Sequence, residues 1–244
     1  MLNLDFLQIY KTEHQKIRIG DDKDGGYVII DGFDYDLLLS CGISNDTSFE
    51  NNFLNIHKNT TCYAFDGTID NLPSDTNKNV VFIKKNISKD NNEKETNMFE
   101  IINNNENIFL KMDIETWEYD WLNIIDEKIL NKFKQIVIEF HFPFTYSEDI
   151  FKKFSYPMDV TSKLECLQKL SKTHYLVHLH GNNNCGTINY ENLILPNVFE
   201  CTYLRKDLCN KCDLTNEKIP NLLLDKPNII NKPDIELSGY PFTR

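Results

Sequence analysis

Short apolar runs, each closed by a polar residue or glycine, alternate with longer helix-like stretches, and this alternation constrains the fold more than any other feature of the chain. The runs are Asp36–Cys41, Cys62–Phe65, Val80–Ile83, Ile108–Met112 and Gln135–Ile138. They are apolar at successive positions, as strands covered on both faces must be, and such strands belong to parallel sheets joined by crossover helices. The pattern predicts an α/β chain with a Rossmann-like, doubly wound sheet in three α/β/α layers. A helix over Met158–Ser171 precedes a sixth strand, Tyr175–Leu179, and a seventh follows at Val198–Leu204. The last two suit antiparallel pairing across a loop that carries His180-Gly181-Asn182-Asn183. Pro220, Pro227, Pro233 and Pro241 then forbid long helices. Residues 1–206 therefore read as one domain and 207–244 as an extended strap packed on it.

The chain has 244 residues, 41% of them hydrophobic, enough for a single sizeable core. A formal net charge of −11 repels phosphate backbones and argues against nucleic acid as a partner. No stretch approaches the roughly 18–20 apolar residues that a bilayer span needs, and the first residues lack the basic flank and apolar run of a leader. Cysteines number seven, and Cys41, Cys62 and Cys201 sit in strand-like runs as small hydrophobes. These features point to the cytoplasm. Cys209-Asn210-Lys211-Cys212 has no second pair at zinc-site spacing and reads as two free thiols.

In an open parallel sheet, ligands sit in the crevice outside the carboxyl ends of the strands, where Gly42, Asp66, Asp113 and Glu139 are all delivered. The Ser40-Cys41-Gly42-Ile43-Ser44 turn lets a ligand approach backbone, and Asn45 or Asp46 can cap a helix starting near Ser48. Asp66 ends the second strand, where a carboxylate can accept from both ribose hydroxyls; the alternative is the first residue of an Asp-Gly turn with Gly67. The G-x-G-x-x-G fingerprint of dinucleotide sites is missing, so a cofactor with adenosine but no diphosphate, S-adenosylmethionine, fits what remains.

Leu110-Lys111-Met112-Asp113-Ile114-Glu115-Thr116-Trp117-Glu118 closely resembles the K-[IM]-D-[IV]-E-G-x-E signature of FkbM-type methyltransferases, and the likeness extends over about residues 17–142. The resemblance implies a class I, S-adenosylmethionine-dependent enzyme with a seven-stranded sheet whose last strand is antiparallel. It also implies methyl transfer to oxygen, often on a sugar. By the same likeness the cofactor falls to Ser40, Gly42, Ile43, Asp66, Asn86 and Asp113. Asp24-Gly25-Gly26-Tyr27-Val28 resembles a segment of sugar-type relatives that packs near the methionine end, although an ordinary hairpin turn has the same composition. Three positions depart from the family pattern: Ser40 replaces an acid, no second glycine follows Gly42, and Thr116 replaces glycine.

A protonated sugar hydroxyl is a poor nucleophile, so methyl transfer calls for a base or a metal beside it. Asp113, Glu115, Glu139, His141 and His180 stand at the correct end of the sheet, with Asp113 and His141 the first choices as base. Glu139 and His141 share a side of one strand by its two-residue period. With Asp113 they would make a divalent site, as in metal-dependent O-methyltransferases. FkbM-type relatives do not generally require metal, and the acid–base reading goes ahead of it. A metal-dependent hydrolase using Asp113, Glu139, His141 and His180 is the rival enzyme, and a non-catalytic cofactor-binding relative the rival module. His178 reads as a core residue, while His180, Asn182 and Asn183 suit a polyhydroxylated acceptor. Trp117, Tyr119 and Trp121 either line an acceptor pocket or, on a helix, join the core. Lys84-Lys85 and Lys152-Lys153 read as solvated surface pairs.

Overall fold

The structure is a computed structural model that describes residues 3–145, 158–210 and 213–244. It opens with a β-hairpin, β1 (Lys16–Ile19) and β2 (Tyr27–Ile30), that stands outside the main sheet. Then come β3 (Leu37–Cys41), α1 (Ser48–Ile56), β4 (Thr61–Phe65), β5 (Val80–Ile83) and the short parallel pair β6 (Asn86–Ile87) and β7 (Glu95–Thr96). Next are α2 (Phe99–Asn103), β8 (Ile108–Met112), α3 (Glu118–Ile124), α4 (Glu127–Leu130) and β9 (Phe133–His141). The chain continues through α5 (Val160–Thr173), β10 (His174–Gly181), the hairpin β11 (Thr187–Tyr190) and β12 (Leu193–Pro196), and β13 (Val198–Arg205).

The seven-stranded sheet has the order β10-β13-β9-β8-β3-β4-β5. Strands β9, β8, β3, β4 and β5 pair in parallel, and β13, the last in sequence, lies antiparallel to both of its neighbours. From β3 the chain winds out to β4 and β5, then returns to β8 on the other side, so the order reverses at β3/β8. That reversal opens the crevice used by ligands of doubly wound sheets. The architecture is Rossmann-like.

Strand alternation sorts the core into two layers. Leu37, Leu39 and Cys41 of β3 and Leu110 and Met112 of β8 face one way, toward a cluster that includes Trp121 of α3 and Leu167 of α5. Leu38, Phe109 and Val137 face the other way, onto Phe49 and Phe53 of α1 and Tyr27 and Ile29 of the hairpin. Burial of each such side chain stabilises by roughly 1.5–3 kcal/mol, which is why the apolar runs become central strands.

Two strands run further than their apolar patterns indicate. β9 continues through Glu139-Phe140-His141 because β13 pairs with it there, Glu200 opposite Glu139 and Val198 opposite His141. β10 likewise includes His180 and Gly181, opposite Glu200 and Phe199, so these two residues belong to the sheet and not to a loop. The β13 partners lie about sixty residues from the β9 extension and about twenty from that of β10, and leave no local trace in either run. The half-exposed β11–β12 hairpin is also absent from the apolar pattern.

No α-helix follows α5 among the described residues. The C-terminal segment crosses the domain through specific contacts: Thr215 N–H donates to Ile9 O at 2.8 Å, and Asp225 meets His178 Nε2 at 2.7 Å. Cys209 is disulfide-bonded, which corrects the expectation of a free thiol there; Cys212 and Lys152-Lys153 lie outside the described residues. Cys41, Cys62, Cys166, Cys185 and Cys201 are free. Among the described residues no helix is long and apolar enough to cross a membrane.

Candidate active site

A cavity of about 1000 Å³ opens at the carboxyl ends of β3, β4 and β8. Its wall carries Gly42, Ile43, Asp66, Asn86, Asp113 and Trp117. The turn between β1 and β2 forms one rim through Asp24 and Gly25. The segment is a hairpin turn that borders the cavity. Gly26 and Tyr27 lie buried beneath the rim.

Gly42 has φ +80°, and a Cβ built on it would lie 1.7 Å from the carbonyl oxygen of Asp113. The glycine therefore serves the approach of two strand ends, a tighter requirement than backbone access for a ligand. Lys111 Nζ donates to Gly42 O at 2.6 Å and lies 5.5 Å from the centre of the Tyr27 ring, fastening the turn from the other strand.

Asp66 differs from the expectation of an acid free to grip a ribose. Its Oδ2 accepts from the amides of Ile43 (3.0 Å) and Ser44 (2.8 Å), and its Oδ1 accepts from the amide (2.7 Å) and hydroxyl (2.6 Å) of Thr68. Burial alone would raise its pKa, but the bonds from Thr68, Ser44 and Ile43 outweigh this and hold the carboxyl below the usual range. Asp66 borders the cavity while bracing the Gly42 turn. Asn86 braces the same wall by accepting from the Gly67 amide at 3.1 Å.

Ser40 is fully buried and donates its hydroxyl to Glu50 Oε1 on α1. Glu50 of the following helix thus places a carboxylate beside the strand end where the family pattern has an acid. Glu50 lines the cavity, its Oε2 has no hydrogen-bond partner, and burial raises its pKa despite nearby Lys111. No residue pattern marks Glu50 beforehand; its sole signal is an acid on the otherwise apolar face of Phe49 and Phe53. α1 starts at Ser48 as expected, but its N-cap position is Thr47, which makes no side-chain cap bond; Asp46, one residue earlier, accepts from Ser48 N–H at 2.8 Å in place of a cap.

Behind Asp113 the two central strands bring Glu139 and His141 together with it, and Asp113 is the member that borders the cavity. His141 Nε2 lies 3.5 Å from Glu139 Oε2, 3.8 Å from Asp113 Oδ1 and 3.5 Å from Glu115 Oε2. Its Nδ1 lies 3.4 Å from Glu118 Oε1, and its backbone amide donates to that same oxygen at 2.8 Å. Tyr27 donates its hydroxyl to Asp113 Oδ2 at 2.9 Å, and Asn182 donates to Glu139 Oε1 at 2.8 Å. Burial and then repulsion from Asp113 raise the Glu139 pKa well above its ordinary value. Burial opposes the charge on His141, but Glu118, Glu139 and Asp113 raise its pKa well above the usual imidazole value. Asp113 is held low because Lys111 and His141 outweigh its burial. Glu118 and Lys111 flank Asp113 in the sequence motif, and only the fold reveals their partners.

His180 is not part of this group. Its Nε2 contacts both oxygens of Asp234 at 3.1 Å, and its Nδ1 lies 3.5 Å from Glu200. Burial would lower its pKa, yet the bonds to Asp234 and Glu200 raise it to about 10. The expected catalytic histidine is a buried ion-pair partner of the C-terminal segment, because β10 extends far enough to carry it beneath that segment. His178 is buried as anticipated, against Asp225. Asn183 is also committed, donating to the carbonyls of Ile229 and Lys232 at 3.0 and 3.1 Å. Tyr119 and Trp121 are fully buried in the core, whereas Trp117 is 40% exposed on the cavity wall. Lys84 pairs with exposed Asp70, while Lys85 reaches the cavity wall.

None of the curated proteins matches the chain. Among solved structures, the chain is similar to the fibrillarin pre-rRNA processing protein of Methanococcus jannaschii, with 12% identity and a TM-score of 0.37 over 80% of this chain and 83% of that one. The model of the methyltransferase FkbM domain matches residues 29–175, more than half of the chain and the stretch that contains β3–β9. The chain belongs to the FkbM methyltransferase family.

Proposed function

We propose that this protein is an S-adenosylmethionine-dependent O-methyltransferase acting on a hydroxyl of a sugar or glycan. The observation that carries the reading is the cavity at the β3/β8 reversal, floored by the Gly42 turn and bordered by Asp66 and Asp113. Its volume is of the size that small-molecule sites require, and its lining is polar at the strand ends. The cofactor fits this donor set: the orphaned Glu50 Oε2 can meet an ammonium group, and the Ile43–Ser44 backbone and Asn86 can face a nucleoside.

When bound, S-adenosylmethionine supplies an electrophilic methyl group. The chain's own work is to position the acceptor and exclude water, because an in-line transfer gains most from alignment. Asp113 is the member of the acidic group on the cavity wall, and we assign it the hydrogen bond that positions the acceptor hydroxyl. Tyr27 and Lys111 orient that carboxylate from below. Trp117 offers a flat apolar surface to a sugar face. The −11 net charge and the acidic rim support an uncharged acceptor over nucleic acid. The hydrolase reading needs His180 beside the other three residues and loses support from its engagement with Asp234.

The test is calorimetry with S-adenosylmethionine and its demethylated product, followed by transfer of a labelled methyl group to a panel of sugars and glycans. Binding heat with labelled saccharide product supports the proposal. Absence of heat with both cofactor forms refutes it.

A further inference from the structure

We infer that Asp113, Glu139 and His141 form a binding site for one hard divalent cation, of the magnesium or manganese class, at the inner edge of the cavity. The inference deepens the methyl-transfer reading and rests on it for the ion's use, while the site itself stands on geometry. One ligand atom from each of the three residues lies within 4.8 Å of the other two. The atoms turned toward one another include His141 Nε2, 3.5 Å from Glu139 Oε2 and 3.8 Å from Asp113 Oδ1.

The second polar atoms of the two carboxylates are engaged by different neighbours: Tyr27 donates to Asp113 Oδ2 and Asn182 to Glu139 Oε1, while Glu118 Oε1 lies 3.4 Å from His141 Nδ1. An outer atom tethered by a supporting residue while the inner atom faces a shared point is the arrangement that aims metal ligands. The side chains of Glu139 and His141 are 5% and 6% exposed, so both are set in place by packing before any ion arrives. Glu118 is fully buried, and its Oε2, like His141 Nδ1, lacks a hydrogen-bond partner.

Charge points the same way. Asp113, Glu118 and Glu139 approach one buried imidazole within 4 Å, and burying several carboxylates together is costly without cations. A divalent ion offsets that repulsion. Two carboxylates and one imidazole, with no thiolate, suit magnesium or manganese better than soft metals. Asp113 borders the cavity, so an ion it holds can accept an acceptor hydroxyl as a further ligand and lower its pKa.

The experiment titrates the chelator-treated full chain with manganese(II), following the loss of the free-ion paramagnetic resonance signal, in parallel with calorimetry of the demethylated cofactor. We expect one ion per chain, displaced by excess magnesium. Asn182→Ala and Tyr27→Phe, which leave all three ligands in place, should weaken it by about tenfold or more. Glu139→Gln and His141→Gln should weaken it more strongly, with thermal melts reporting whether each variant folds. Normal cofactor binding without manganese binding overturns the site and leaves methyl transfer standing. Manganese binding that is indifferent to all four substitutions also overturns it. Manganese binding without cofactor binding upholds the site and removes the methyl-transfer reading, and loss of both in the wild-type chain removes both.

Discussion

Asp66→Asn tests whether this carboxylate braces the cavity or merely awaits a ligand. In the structure its two oxygens accept four hydrogen bonds, two from the Ile43 and Ser44 amides and two from Thr68. Asparagine keeps one acceptor oxygen. If that oxygen faces Ile43 and Ser44, the new amide group confronts the Thr68 N–H donor to donor. Hydrogen bonds to a charged acceptor contribute about 1.5–3 kcal/mol each against about 0.5–1.5 for neutral ones. The Thr68 hydroxyl can turn to accept from the new amide, so one bond is lost and two are weakened, which at the low end of these ranges sums to about 3.5 kcal/mol. For a chain of this size that lowers the melting temperature by about 7–14 °C. The assay is urea and thermal unfolding of the protein without cofactor at pH 7. The folded pKa is depressed, so the wild-type advantage is present above the unfolded value and lost as pH falls through the folded one. A cofactor-free variant within about 0.5 kcal/mol of wild type would refute the reasoning, since a carboxylate reserved for ribose costs nothing to neutralise in the empty protein.

Gly42→Ala drives a Cβ into the Asp113 carbonyl at a positive φ, and we expect it to weaken cofactor binding at least tenfold by calorimetry; unchanged affinity would show that the strand ends can part freely. His180 has a raised pKa, so its ion pairing contributes stability in full below about pH 6.5 and loses it as pH rises through about 10. Unfolding midpoints of wild type and His180→Gln should therefore converge across that interval, and a gap that stays constant would count against the pairing. Cofactor or acceptor binding should change the fluorescence of exposed Trp117 and leave buried Trp121 silent, so Trp117→Phe should abolish the signal.

Much of the fold can be read from residues because the central strands are buried on both faces and must be apolar throughout. β3, β4, β5 and β8 appear at their apolar runs to within a residue, and α1 starts at Ser48 as expected. What stayed hidden depends on distant partners. Glu139–His141 become strand only because Val198–Glu200 lie alongside, and His180 is drawn inward by Asp234, fifty-four residues later. The candidate site divides likewise. Asp113, Glu139 and His141 converge because strand ends and the two-residue period place them, which sequence conveys. Glu50 placing its carboxylate beside Ser40, and Asp66 turning inward, depend on side-chain reach across a turn and have no periodic signal. Thr116 sits at φ +80°, the left-handed region, which explains in backbone terms why glycine is the family's choice at that position.

Asn228 donates to Asp24 Oδ1 and to Glu200 Oε1, both at 3.0 Å, tying the rim turn to the sheet from a point 204 positions further along the chain. A ribosome making this protein has therefore passed Asn228 before that clasp can close. Until then the nascent chain carries the floor of the cavity without a completed doorway. Neither end of the clasp falls within residues 29–175, the stretch that matches the family model, so the entrance is held by parts of the chain that lie on either side of the family's own.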